Sequence, residues 1–268
     1  MTDRELAPAP IAGSAAEAGP RTRAWLRAAL RRLVGSPEYP AEAADRREFE
    51  VLGLRLPVRA TVVIVVVVLA MIFDYSRTFF PRDLIAFDRN PGMQRLQAFD
   101  RLALYVLVPL LVTLIGFRDR PSRYGLRLGD WRWGIGLAVA GCAVMTPIVL
   151  AVAPDPSFHE FYGPSWSSLP DVLATNGIDL FSAEFLFRGF LMLTLVRTIG
   201  SIGVLVAALP FVFGHLTKPE IELLSALAGG MAYGWLTWRT GSILWGALAH
   251  TYILTLLMWA AVAPVAAG

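Results

Sequence analysis

Ser182-Ala183-Glu184-Phe185-Leu186-Phe187-Arg188-Gly189-Phe190 sets a carboxylate and a guanidinium four residues apart inside an otherwise apolar segment. On a helix this spacing puts both side chains on one face, close enough to pair. An ionisable residue at membrane depth is costly and is a functional-site hypothesis by default. The bland alternative is a buried ion pair that fastens helices together. The rest of the chain reads as scaffold or partner for this face.

Composition places the segment in a membrane. Of 268 residues, 56% are hydrophobic, and several apolar runs approach the roughly 20 residues that cross a bilayer. The runs fall at 58–73, 102–117, 134–153, 171–196, 199–215, 221–238 and 243–262. The fold class is therefore all-α, a polytopic transmembrane helix bundle of about seven or eight membrane helices. Residues 1–20, rich in Ala, Pro, Gly and Glu without periodicity, read as a disordered tail. Residues 21–56 read as a cytoplasmic, amphipathic and juxtamembrane region. Over 21–36, Leu26, Ala29, Leu30 and Leu33 recur at helical spacing among Arg23, Arg27, Arg31 and Arg32, the pattern of a helix lying on a membrane surface. Residues 57–170 hold the N-terminal membrane helices and 171–264 the polar helix core.

Charge orients the bundle. Lys218 is the only lysine, and the remaining positive charge is arginine. This balance suits contact with anionic lipid, and nothing in the pattern resembles a nucleic-acid module. Arg-, Ala-, Gly- and Pro-rich usage points to a GC-rich bacterial genome. Residues 118–132 carry Arg118, Arg120, Arg123, Arg127 and Arg132 against Asp119 and Asp130, which places them in the cytoplasm, and with seven spans the N-terminus is cytoplasmic too. Residues 154–170 lack Lys and Arg and fall on the far side, with His159 read as an exposed loop histidine. The stretch 74–101 reads as a long mixed-charge connection with a turn at Asn90-Pro91-Gly92, and its arginines conflict with the outer side that seven spans give it. Cys142, the one cysteine, excludes an intramolecular disulfide. Ala226, Gly230 and Gly234 form a small-residue stripe that predicts close approach of another helix.

The polar inventory at membrane depth is short: Glu184, Arg188, His215 and His250, with Lys218, Glu222 and others near helix ends. Such groups are expected to share one hydrated cavity, because pairing and water offset their desolvation. Two chemistries fit them. Glu184 takes a proton from water while a histidine orients that water or stabilises an oxyanion. Alternatively, Glu184, His215 and His250 hold a divalent metal such as Zn²⁺, with water in the fourth position. Lys218 with Glu222 reads as a salt bridge over the Pro219 turn.

Glu184-Phe185-Leu186-Phe187-Arg188-Gly189, then Phe211-x-x-x-His215, then His250, in this order on successive helices, resemble the motifs of the CPBP family of intramembrane proteases. That family includes the type II CAAX prenyl endopeptidases and bacterial proteins linked to bacteriocin processing and self-immunity. The resemblance runs from Asp171 onward. Tyr124-Gly125-Leu126-Arg127 with Asp130-Trp131-Arg132 looks like the segment that often precedes the family core. The resemblance implies a bacterial inner-membrane endopeptidase acting on a membrane-associated peptide or protein, with Glu184 activating water together with His215. His250 stabilises the oxyanion or shares a metal, Arg188 keeps Glu184 charged, and Lys218 and Glu222 support the site. Two positions depart from the family pattern. Ala183 stands where a first glutamate is usual, and Leu254 where an asparagine is usual. Either Glu184 has taken over as base, or the chain is an inactive membrane scaffold or immunity protein built on the same helices. A transporter ranks below both, since the N-terminal half has no segment matching the polar helices, as an inverted repeat would require.

Overall fold

The computed structural model describes Gly35, residues 37–76 and residues 89–262. The expected disordered tail and the amphipathic helix over 21–36 therefore lie outside the described residues, apart from Gly35. A short hairpin, β1 (Glu48–Val51) and β2 (Leu54–Pro57), pairs antiparallel with Val51 opposite Leu54. Leu52 and Gly53 both take positive φ, as a two-residue turn of this hand requires. Eight helices follow among the described residues. They are α1 (Val58–Ser76), α2 (Pro91–Gly116), α3 (Trp131–Val152), the short α4 (Pro156–Tyr162), α5 (169–199), α6 (Ile202–Phe213), α7 (Glu220–Thr240) and α8 (Leu244–Val262).

Four of these, α1, α2, α3 and α8, are long and apolar enough to cross a membrane. Their outer faces are apolar as well. Ile64, Val65, Val68, Leu69, Ile72 and Phe73 on α1 and Ile135, Val139, Val144 and Ile148 on α3 are exposed, a surface suited to lipid rather than water. α5 differs in kind. Every residue from 182 to 196 is buried, because α1, α2, α6, α7 and α8 all pack around it. A helix enclosed by other helices does not need a uniformly apolar surface, so α5 accommodates Asp171, Asp179, Glu184 and Arg188 where a lipid-facing helix would not.

The stretch 74–101 differs from its expected form. Asn90-Pro91 opens a helix rather than closing a turn. The Asn90 side chain accepts the Met93 N–H at 2.9 Å, and Pro91 occupies the first helical position, where its missing N–H costs nothing. α2 thus begins about ten residues before the apolar run does. Two of the arginines that conflicted with the expected topology are engaged in ion pairs with α5, Arg101 part-buried and Arg95 at the exposed start of that helix. Arg101 Nε binds Asp74 Oδ2 at 3.0 Å on α1, its Nη1 binds Asp179 at 2.9 Å on α5, and Tyr105 donates to Asp74 at 2.8 Å. Arg95 grips Asp171 at the start of α5 with two bonds of 2.7 and 2.8 Å. Arginines committed to carboxylates in this way contribute little to the charge bias that orients a membrane protein. His159 is also not an exposed loop residue. It lies on α4, half-buried, and its Nδ1–H donates to the Ala261 carbonyl at 3.2 Å, satisfying an orphan acceptor at the end of α8.

The small-residue stripe on α7 receives α6, as its spacing predicts. A Cβ on Gly230 would lie 3.1 Å from the Phe211 ring and one on Gly234 3.0 Å from Val204, so both glycines set how closely the helices approach. The segment 124–130 docks on the turn between α7 and α8. Ile243 N–H donates to Gly125 O at 3.1 Å, Arg127 Nε to Gly241 O at 2.9 Å, and Asp130 N–H to Thr240 O at 2.8 Å. This docking positions the start of α8 and hence His250.

Candidate functional site

Glu184 ends the first α-helical stretch of α5, and regular α-helix resumes at Leu193. From Phe185 to Met192 the turns widen to i→i+5 bonding, a local re-winding frequent at functional sites and present also within α2. Glu184 is fully buried and Arg188 only 1% exposed, so neither charge survives there without partners. Arg188 Nη1 lies 3.5 Å from Glu184 Oε1, an attraction of charges rather than a directed hydrogen bond. The hydrogen bond to that oxygen comes from α8, where His250 Nδ1–H donates at 3.1 Å. This sets the His250 tautomer and leaves Nε2 as its working nitrogen.

Aromatic rings hold the cation and the imidazole. The guanidinium carbon of Arg188 stands 3.9 Å from the centroid of Phe211 and 5.8 Å from that of Tyr233, and Nη2 donates to Gly230 O at 3.4 Å. Tyr233 stacks on His250 with centroids 4.6 Å apart and planes 19° apart, while Phe211 meets the same ring at 5.7 Å and 65°. Glu184, Arg188 and His250 therefore form one enclosed unit drawn from two helices and braced by two more, through Phe211 on α6 and through Tyr233 and Gly230 on α7.

His215 belongs to a second unit beside it. Its ring packs 4.5 Å from Phe211, and its Nδ1–H donates to the Phe211 carbonyl at 2.7 Å. Its Nε2 then faces Glu222, whose Oε1 is 4.0 Å away. Lys218 binds that carboxylate at 2.6 Å, the salt bridge expected over Pro219. Tyr162 closes the group from α4, donating to Glu222 Oε2 at 2.6 Å and accepting from Lys218 at 3.3 Å. The two units share the Phe211 ring. The structure thus brings Glu184, Arg188 and His250 into contact and sets His215, Lys218 and Glu222 alongside, with His215 turned toward Glu222 and not toward Glu184.

The expected metal set does not assemble in this arrangement. Among the described residues no three of His, Cys, Asp and Glu are grouped to hold a metal ion. Glu184 Oε1, the oxygen nearest a histidine, is also the one beside the Arg188 cation, an unfavourable neighbour for a second positive charge.

The two departures from the motif pattern find apolar surroundings. Ala183 belongs to the main apolar cluster and Leu254 to a second one built around Val149, Phe158 and Met258. Tyr162, Tyr233 and Thr237 are the members of this neighbourhood that sequence reasoning missed. For Tyr233 and Thr237 a signal existed, since they continue the face marked by Ala226 and Gly230 at helical spacing. Tyr162 had none, because its contact with Glu222 spans 60 positions.

The family model described as Type II CAAX prenyl endopeptidase Rce1-like matches residues 165–256. The matched segment covers about a third of the chain and is consistent with a member of the CPBP family. It runs from just before α5 into α8 and contains Glu184, Arg188, His215, Lys218, Glu222 and His250. No curated protein and no solved structure matches the chain.

Proposed function

We propose that the protein is an intramembrane endopeptidase of the CPBP type that hydrolyses a peptide bond in a membrane-associated peptide or protein. The observation that carries this reading is the fully buried carboxylate of Glu184, held through Oε1 by His250 and Arg188 and left with Oε2 unbonded among the described residues. A charged acceptor presented this way in a dry site suits proton abstraction from water. Glu184 is the base: one O–H bond of water breaks, the proton passes to Oε2, and the oxygen forms a bond to the scissile carbonyl carbon. Lys218, held beside His215 by Glu222, supplies the N–H donors and positive charge for the oxyanion. The C–N bond then breaks as the proton is returned to the leaving amine. His250 and Arg188 hold and aim Glu184, so His250 takes the place beside Glu184 that the resemblance gave to His215. With Arg188 occupying the cation position beside Oε1, the chemistry proceeds without a metal. The remaining long helices, α5 and α7, complete the membrane bundle inside the four apolar spans, and the chain resides in a bacterial inner membrane.

The test is purified protein in detergent with a library of membrane-associated peptides, prenylated and unmodified, with and without chelator. Cleavage is expected with chelator present, and Glu184→Gln lowers it by about 10²–10⁴-fold. Unchanged cleavage in Glu184→Gln, or none from the parent protein on any peptide, overturns the reading.

A further inference from the structure

Three buried atoms near the centre of the bundle find no hydrogen-bond partner among the described residues: Glu184 Oε2, Arg188 Nη1 and Thr237 Oγ1. Two of them converge. A Cβ built on Gly246 would lie 3.3 Å from Glu184 Oε2 and 3.9 Å from Thr237 Oγ1. A carboxylate oxygen from α5 and a hydroxyl from α7 therefore both approach the bare backbone of α8 at Gly246. Thr237 is itself fully buried. A helical threonine ordinarily turns its hydroxyl back to the carbonyl one turn earlier, as Thr194, Thr198 and Thr240 do here. The hydroxyl of Thr237 makes no such bond.

Each unpaired buried polar group costs about 1–3 kcal/mol, and interiors meet such a cost with a water molecule wherever two or more polar partners face a space large enough to hold it. We infer that Gly246 keeps open a binding position for one water molecule, held between Glu184 Oε2 and Thr237 Oγ1, and that this is the water Glu184 activates. The inference rests on the proposed hydrolysis and extends it by naming Thr237 as the positioning residue and Gly246 as the residue that leaves the space. Thr237 accepts one hydrogen of the water while the other points to Oε2. Both lone pairs of the water oxygen stay free, and one of them attacks the carbonyl carbon as Oε2 takes the proton. Glu184 gains a defined hydrogen-bond partner on the oxygen that His250 does not use, so one carboxylate is braced on one side and reactive on the other.

The variants are Thr237→Val, which keeps the shape and removes the hydroxyl, Thr237→Ser, which restores it, and Gly246→Ala, which puts a methyl group where the water would sit. Each is assayed on the peptide that the parent protein cleaves, with Glu184→Gln as reference, and folding is checked by thermal unfolding in the same detergent. Thr237→Val and Gly246→Ala are expected to lower kcat by about 10-fold or more with KM unchanged, and Thr237→Ser to recover most of it. A high-resolution structure of the parent protein shows ordered density within hydrogen-bond distance of both oxygens. If Glu184→Gln abolishes cleavage while Thr237→Val keeps the parent kcat, or if Thr237→Ser is as slow as Thr237→Val, the water position is wrong and the protease reading stands. If Glu184→Gln has no effect, both fall.

Discussion

Arg188→Met removes the cation that faces Glu184 and leaves the rest of the fold intact, so it measures what that pair contributes. Both side chains are at most 1% exposed, and Glu184 keeps only the His250 hydrogen bond once the guanidinium is gone. Stranding one partner of a buried pair costs about 3–5 kcal/mol. Losing the cation from between Phe211 and Tyr233 removes up to about 2 kcal/mol more, part of which the methionine recovers by packing on the same rings. For a chain of this size the loss corresponds to a drop of roughly 6–20 °C in unfolding midpoint. The double variant Glu184→Gln with Arg188→Met has no stranded charge and is expected to regain most of that stability while remaining inactive. Thermal unfolding of the four proteins in one detergent closes the cycle. The reasoning fails if Arg188→Met is as stable as the parent, or if the double variant is less stable than Arg188→Met alone, since either result means that the guanidinium does not neutralise a buried carboxylate.

Arg101→Met should also destabilise, by about 3–5 kcal/mol, because it abandons Asp74 on α1 and Asp179 on α5 together. An unfolding midpoint equal to the parent's would show that this three-helix network is dispensable. Asp45 supplies a pH test outside the membrane-spanning helices. Burial opposes its charge, but the Glu42 N–H, Arg123 and Arg59 outweigh burial and hold its carboxyl below the usual carboxylate range. A pKa lowered on folding contributes stability that is complete above the unfolded value of about 3.9 and is lost as pH falls through the folded value. The parent's unfolding midpoint should therefore fall more steeply below about pH 4 than that of Asp45→Asn. Parallel profiles for the two proteins would contradict the assignment.

Which parts of this architecture were legible in the chain depended on the distance over which the governing interaction acts. The i, i+4 spacing of Glu184 and Arg188, the Lys218–Glu222 bridge and the glycine stripe on α7 are local patterns, and each appears where its spacing puts it; of the seven apolar runs, four lie on helices long and apolar enough to cross a membrane. The start of α2 was misread because Asn-Pro-Gly serves equally well as a turn and as a helix cap, and only the helix that continues decides between them. His159 was discounted because its partner, the Ala261 carbonyl, lies 102 positions away.

By itself the sequence determined that this is a membrane bundle with four ionisable side chains too costly to scatter, since desolvation is a property of each residue wherever it sits. Tertiary structure decided which of them meet. It joined His250 to Glu184, turned His215 toward Glu222, brought Tyr162 in from a helix that looked like a loop, and set Thr237 and Gly246 beside the free oxygen of Glu184. Those choices depend on the rotation and separation of packed helices, and these follow from close contacts summed over the whole bundle.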